Sequence, residues 1–152
     1  MSSSSRSLGT PTAPPQDFRD WRLIALVGLG GAVGTALRLG VTAVIPVDGQ
    51  LPLAVIAVNL SGAFVLGWLL ETLIQRGPET AVGRGIRLGV GTGVLGGYTT
   101  YSALAVGADG LIATDNLTVG LLVAVPTVVA GVILAWLGAV VARAITPRGQ
   151  GQ

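Results

Sequence analysis

Cysteine and histidine are both absent from this chain of 152 residues. Without cysteine there is no disulfide framework, no thiolate metal site and no sulfur nucleophile. Without histidine the commonest general base and metal ligand is missing. Lysine is absent as well, so all nine basic residues are arginine. Charge of either sign is scarce, at 11%, where an ordinary soluble domain carries about 25%. What fills the chain instead is apolar: 51% of residues are hydrophobic and the mean hydropathy is +0.75. That balance selects the membrane class before any motif is read. An isoelectric point near 9.9 invites a nucleic-acid reading, but the net charge is only +2. Arginines in a membrane protein chiefly set orientation.

Four stretches are long enough to cross a bilayer, which takes about 20 apolar residues. They run from Trp21 to Val44, Leu53 to Ile74, Leu88 to Val106 and Leu117 to Val141. The Ser-, Pro- and Thr-rich residues 1–20 are expected to be a disordered tail, with no apolar signal-peptide core before Trp21. Residues 144–152 form a second tail, leaving 21–143 as one helical membrane domain. Gly30 and Gly34 make a small-xxx-small face on the first span that permits close helix contact. Four crossings put both termini and the Gln75–Arg87 loop on one side. That side carries Arg6, Arg19, Arg22, Arg76, Arg84, Arg87, Arg143 and Arg148, and the opposite connections carry none. The positive-inside rule then places both termini in the cytoplasm of a bacterial-type inner membrane.

The third span is unlike the others. Its centre reads GVGTGVLGGYTTYSAL, Gly89 to Leu104. Gly89, Gly91, Gly93, Gly96 and Gly97 each cost a helix interior roughly 1 kcal/mol against alanine, so the stretch is expected to stop a helix. Thr99, Thr100 and Ser102 supply hydroxyls that replace lost backbone hydrogen bonds. Irregular backbone at membrane depth persists only where protein or a polar cavity covers it. Two readings follow: an ion or substrate site at a broken helix, or a kinked helix whose small residues serve packing. Among other polar groups in the spans, Asn59 offers either two donors to a pore or an interhelical bond. Arg38 faces a watery vestibule or anchors its helix at the interface. Thr127 is the one hydroxyl deep in the fourth span.

The stretch GGYTTYSAL, Gly96 to Leu104, resembles the GGxTTFSTF signature of the Fluc (CrcB) fluoride channel family. GGAVGTALR, Gly30 to Arg38, and the Asn59 of VNLSGAF fall in the family's order on the first and second spans. The resemblance implies an all-α membrane protein of four helices, the third broken mid-membrane, assembling as an antiparallel dimer. It implies a passive, fluoride-specific channel that lowers fluoride toxicity. Asn59, Thr100, Tyr101, Ser102, Arg38 and Thr127 would then line the anion path. A structural sodium ion at the dimer centre would be held by the backbone carbonyls of Gly96 and Thr99. Fluoride is a small, strongly hydrated acceptor, so its path suits neutral donors and aromatic ring edges. Of the family's two signature phenylalanines, the first is Tyr101 here, which keeps a ring edge. The second is Leu104, which has none.

Leu104 and the one-sided arginines together suggest a subunit that inserts one way and pairs with a homologous chain of opposite bias. A homodimer that tolerates the bias is the alternative, and a non-conducting partner subunit is another. A small dimeric drug/proton exporter would need a carboxylate at mid-membrane. Asp48, Asp109 and Asp115 lie in connections and Glu71 near a helix end. Gly91, Gly93 and Gly96 with Asp115 match the spacing of a dinucleotide-binding loop, but no strand is expected before them.

Overall fold

The computed structural model describes residues 20–45, 53–100 and 117–145, with side chains in the last stretch from Ala124 onward. These residues form α1 (Trp21–Val44), α2 (Leu53–Gln75), α3 (Ala81–Ile86), a π-helical segment (Arg87–Leu95), a short α4 (Gly96–Tyr98) and α5 (Leu117–Ile145). No strand occurs among the described residues, so the dinucleotide-loop context is missing. Local chemistry sets the helix ends. The Asp20 carboxylate accepts from the Arg22 N–H at 3.0 Å at the start of α1. Thr80 Oγ1 accepts from the Gly83 N–H at 3.0 Å at the start of α3. Gly77, at φ 91°, takes the left-handed turn after α2 that other residues resist.

Among the described residues three helices are long and apolar enough to cross a membrane: Trp21–Val44, Leu53–Gln75 and the Ala124–Ile145 part of α5. At about 1.5 Å per residue each spans at least the roughly 30 Å of hydrocarbon. Their large side chains face outward: Leu29 and Ile74 are each 70% exposed and Val132 66%. The buried apolar residues among those described are only Val58, Leu95 and Ala142. A helix apolar all round needs lipid or another protein as its solvent.

Helix contact is made by glycine instead. A Cβ added at Gly34 would meet the Val94 carbonyl, and one at Gly30 the Gly89 carbonyl. Along this contact α1 runs parallel to the segment from Arg87 to Tyr98, because Leu26 lies at Gly89 and Gly34 at Val94 and Tyr98. A second parallel pair joins α2 to α5, where Gly131 lies against Leu60, Gly67 against Ala135, and Gly138 between Phe64 and Trp68. Its ends are tied by Arg143, whose Nε and Nη2 donate to Glu71 Oε1 and Oε2 at 2.9 and 3.1 Å. The third segment is antiparallel to α2, since Gly62 meets Thr99 while Leu66 and Leu69 meet Gly91.

The third helix ends within the Gly89–Leu104 stretch, but past the glycines themselves. Gly89, Gly91 and Gly93 all lie inside the nine-residue π segment, and Gly96 and Gly97 inside α4. Gly89 and Gly93 face α1 while Gly91 faces α2. The small side is what the packing uses, and it outweighs the propensity cost. The helix ends later, at Thr99, whose φ of −75° and ψ of 156° are extended.

The loop before α3 carries its own ion cluster. Glu79 accepts from Arg87 Nε at 2.7 Å and from Arg84 Nε at 3.3 Å. The hydrogen bond from Arg87 holds the Glu79 carboxyl below its ordinary value of 4.5. A depressed carboxylate contributes stability above its unfolded pKa and loses it as pH falls through the folded one. Melting in detergent is therefore expected to show no Glu79-dependent change between pH 5 and 8. Below about pH 4.5 the wild type loses its small advantage over Glu79→Gln.

Candidate functional site

The extended backbone at Thr99 lies near mid-depth, because Gly31 and Gly34 opposite Gly97 and Tyr98 stand halfway along α1. A helix that ends there leaves peptide groups without ladder partners. Asn59 on α2 fills this gap for the following residue. Its Oδ1 accepts from the Thr100 N–H at 2.8 Å, and its Nδ2 donates to the Thr100 carbonyl at 2.9 Å. The two bonds fix which end of the amide is oxygen, since a peptide N–H only donates and a carbonyl only accepts. One Nδ2 proton and one Oδ1 lone pair remain for other partners.

The neighbouring hydroxyls are unequally committed. Thr99 Oγ1 donates to the Leu95 carbonyl at 2.9 Å, an acceptor it shares with its own N–H at 3.0 Å. Thr35 Oγ1 on α1 donates to the Gly97 carbonyl at 3.4 Å. Ser61 Oγ donates to the Val58 carbonyl and lies 3.1 Å from the Tyr98 hydroxyl. Thr100 and Thr127 are both buried, at 8% exposure.

A cavity of about 350 Å³ opens between α2, α5 and the end of the third segment. Asn59, Gly96, Thr99, Thr100 and Thr127 all line it, with Leu60, Leu66, Leu95 and Val128 among its apolar walls. None of the lining residues is ionisable. Such a cavity offers hydroxyl and amide dipoles to a ligand without a fixed charge. The helix C-terminus beside it adds carbonyl oxygens with partial negative charge.

Five of the eight residues assigned from sequence to the anion path or the sodium ion thus line one cavity. Arg38 does not join them: it is half-exposed on α1, one turn past Gly34, and forms no ion pair among the described residues. Tyr101, Ser102 and Leu104 lie outside the described residues. Sequence reading passed over Tyr98, Ser61 and Thr35, which brace the helix end from two sides. The signal for Tyr98 was its place as the aromatic inside the glycine–threonine motif.

Comparison with known proteins bears on this site. The family described as CrcB-like protein, Camphor Resistance (CrcB), matches residues 25–139. A protein of Leifsonia xyli subsp. xyli named fluoride-specific ion channel FluC 2 is 49% identical over 110 residues, covering 72% of this chain and 76% of its own. Fluoride-specific ion channel FluC 1 of Cutibacterium acnes is 44% identical over 117 residues, 76% of this chain and 81% of its own. Fluoride-specific ion channel FluC of Pyrococcus furiosus is 36% identical over 124 residues, 82% of this chain and 98% of its own.

Proposed function

The chain belongs to the CrcB family, and from that premise we propose that it is a subunit of a passive fluoride channel that lets fluoride leave the cytoplasm. The observation that carries this reading is the convergence of Asn59, Thr99, Thr100 and Thr127 on one uncharged cavity at a helix end. Replacing the hydration shell of a small anion takes neutral donors, because a buried arginine or lysine would hold the ion too tightly to pass it on. The free Nδ2 proton of Asn59 is such a donor, and its amide is already oriented by Thr100. Tyr101 and Ser102 extend the donor set in this proposal, and Arg38 draws anions toward it.

A proton-coupled exporter fits the geometry less well. Among the described residues the one acid within a long helix is Glu71, at the end of α2 and bonded to Arg143. It belongs to an interhelical clamp and does not line the cavity.

Residues 21–143 form the channel body, with 1–20 and 144–152 as tails. The alternating directions of α1, α2, the third segment and α5 support four crossings. A third crossing is needed to bring α2 and α5 parallel. Both termini lie in the cytoplasm, on the arginine-rich side of the inner membrane. Assembly is an antiparallel dimer, and the one-sided arginines favour a homologous partner of opposite bias over a second copy.

Sodium fits the end of the third segment. Gly96 is exposed and nothing lies within 4 Å of where its Cβ would be, so its backbone is open to approach. Thr99 has left the helical ladder. Its carbonyl and that of Gly96 would hold the ion as hard oxygen donors, and the bound charge would neutralise converging helix C-termini at the dimer centre.

The test is fluoride efflux from proteoliposomes, followed with a fluoride electrode. One arm holds this chain alone, the other the chain co-expressed with a homologue of opposite arginine bias. Efflux only from the pair is the expected result, and efflux from the single chain replaces the heteromer with a homodimer. If neither preparation moves fluoride although both are folded and inserted, the channel reading is overturned.

A further inference from the structure

We propose that the turn joining α2 to α3 is a binding site for an anionic phospholipid, with Arg76 holding the phosphate and Ile74 and Val82 receiving an acyl chain. A groove of about 210 Å³ lies here, lined by Leu73, Ile74, Arg76, Glu79, Val82 and Ile86 among others. Its charge is unbalanced. Glu79 is occupied by Arg84 and Arg87 at 3.3 and 2.7 Å, while Arg76 is exposed and makes no ion pair among the described residues. Residues 76–87 therefore hold three arginines against one glutamate, and that glutamate is already neutralised. A guanidinium presents a fork of N–H donors that matches phosphate oxygens.

The groove's other property separates a lipid from a free anion. Ile74 is 70% exposed and Val82 72%, and both share the groove with Arg76. Exposed aliphatic surface beside an uncompensated cation matches an amphiphile, whose headgroup and chain satisfy both at once. The place in the chain agrees with this. Arg76 immediately follows the last residue of α2, a helix long and apolar enough to cross the membrane. Trp68, two turns earlier and 37% exposed, has the amphipathic ring favoured at the headgroup level.

The proposal is tested on the full chain in mild detergent by native mass spectrometry, counting retained lipid after adding phosphatidylglycerol or phosphatidylcholine. The wild type is expected to retain the anionic lipid preferentially. Arg76→Gln should weaken that retention about five-fold, the value of one arginine near an anionic headgroup. Ile74→Asn with Val82→Asn should weaken it while leaving every charge in place. Excess inorganic phosphate should not displace the lipid. Arg22→Gln is the control, because Arg22 lies 5.8 Å over the Trp21 ring at the start of α1, outside the groove. Equal retention of the two lipids, or an unchanged preference in Arg76→Gln, overturns the site. Displacement by phosphate alone makes it a free-anion site and overturns the lipid assignment. None of these readouts depends on fluoride conduction, so this proposal and the channel reading fail separately.

Discussion

Asn59→Leu is expected to abolish nearly all fluoride efflux while the protein still inserts and purifies. The substitution keeps the side chain's bulk but removes the Oδ1 that accepts from the Thr100 N–H and the Nδ2 that donates to the Thr100 carbonyl. Each buried backbone group left unpaired costs about 1–3 kcal/mol, and in hydrocarbon no water arrives to repair it. Two such groups make the native helix end unfavourable by at least about 2 kcal/mol, which reduces the competent population roughly 30-fold. The lost Nδ2 donor lowers throughput further. Hydrogen exchange at the Thr100 amide separates the two effects, since only loss of the clamp accelerates it. Asn59→Asp supplies the comparison: it can still accept from the Thr100 N–H, but it places a negative charge in the cavity. It should slow Thr100 exchange relative to Asn59→Leu and still conduct poorly. Wild-type efflux and unchanged exchange in Asn59→Leu would remove Asn59 from the site.

The second large effect is structural. Gly34→Leu is expected to leave no monodisperse protein in detergent, whereas Gly28→Leu and Gly40→Leu should purify like the wild type. All three glycines lie on α1. A Cβ at Gly34 falls on the Val94 carbonyl and within 2.8 Å of the Tyr98 nitrogen, while nothing lies within 4 Å of one at Gly28 or Gly40. The obstruction at Gly34 is backbone, which has no rotamer to retreat into. Overpacking a core typically costs about 1–3 kcal/mol where side chains can shift, and here the two helices must separate instead. The same separation breaks the approach of Thr35 to the Gly97 carbonyl. Size-exclusion profiles and melting temperatures of the three variants decide the matter. Equal behaviour of all three would mean that α1 does not pack on the third segment through Gly34.

Both predictions depend on features that the residue order discloses unequally. Composition was enough for the membrane class, because hydropathy is a sum over neighbours along the chain and needs no knowledge of what folds against what. Three of the expected spans agree with long apolar helices within a few residues: the second ends at Gln75, and the last reaches Ile145. Asn59 and Thr100 were legible as chemistry, since a polar side chain inside an apolar run requires a partner wherever it points. Their pairing was not, because the donor and acceptor lie 41 positions apart. The glycines show the boundary most clearly. Taken one at a time they weaken a helix, and the residue order accordingly places a break somewhere within Gly89–Leu104. In the folded chain Gly89, Gly91 and Gly93 allow two neighbouring helices to approach from opposite sides, and that packing carries the helix through to Tyr98. The residue order alone thus determined the solvent this protein requires and the polar groups that need answering. Where the third helix ends, and which hydroxyls share a cavity with Asn59, was decided by tertiary structure. Those outcomes depend on hydrogen bonds and close backbone contacts supplied by other helices, and no local propensity records them.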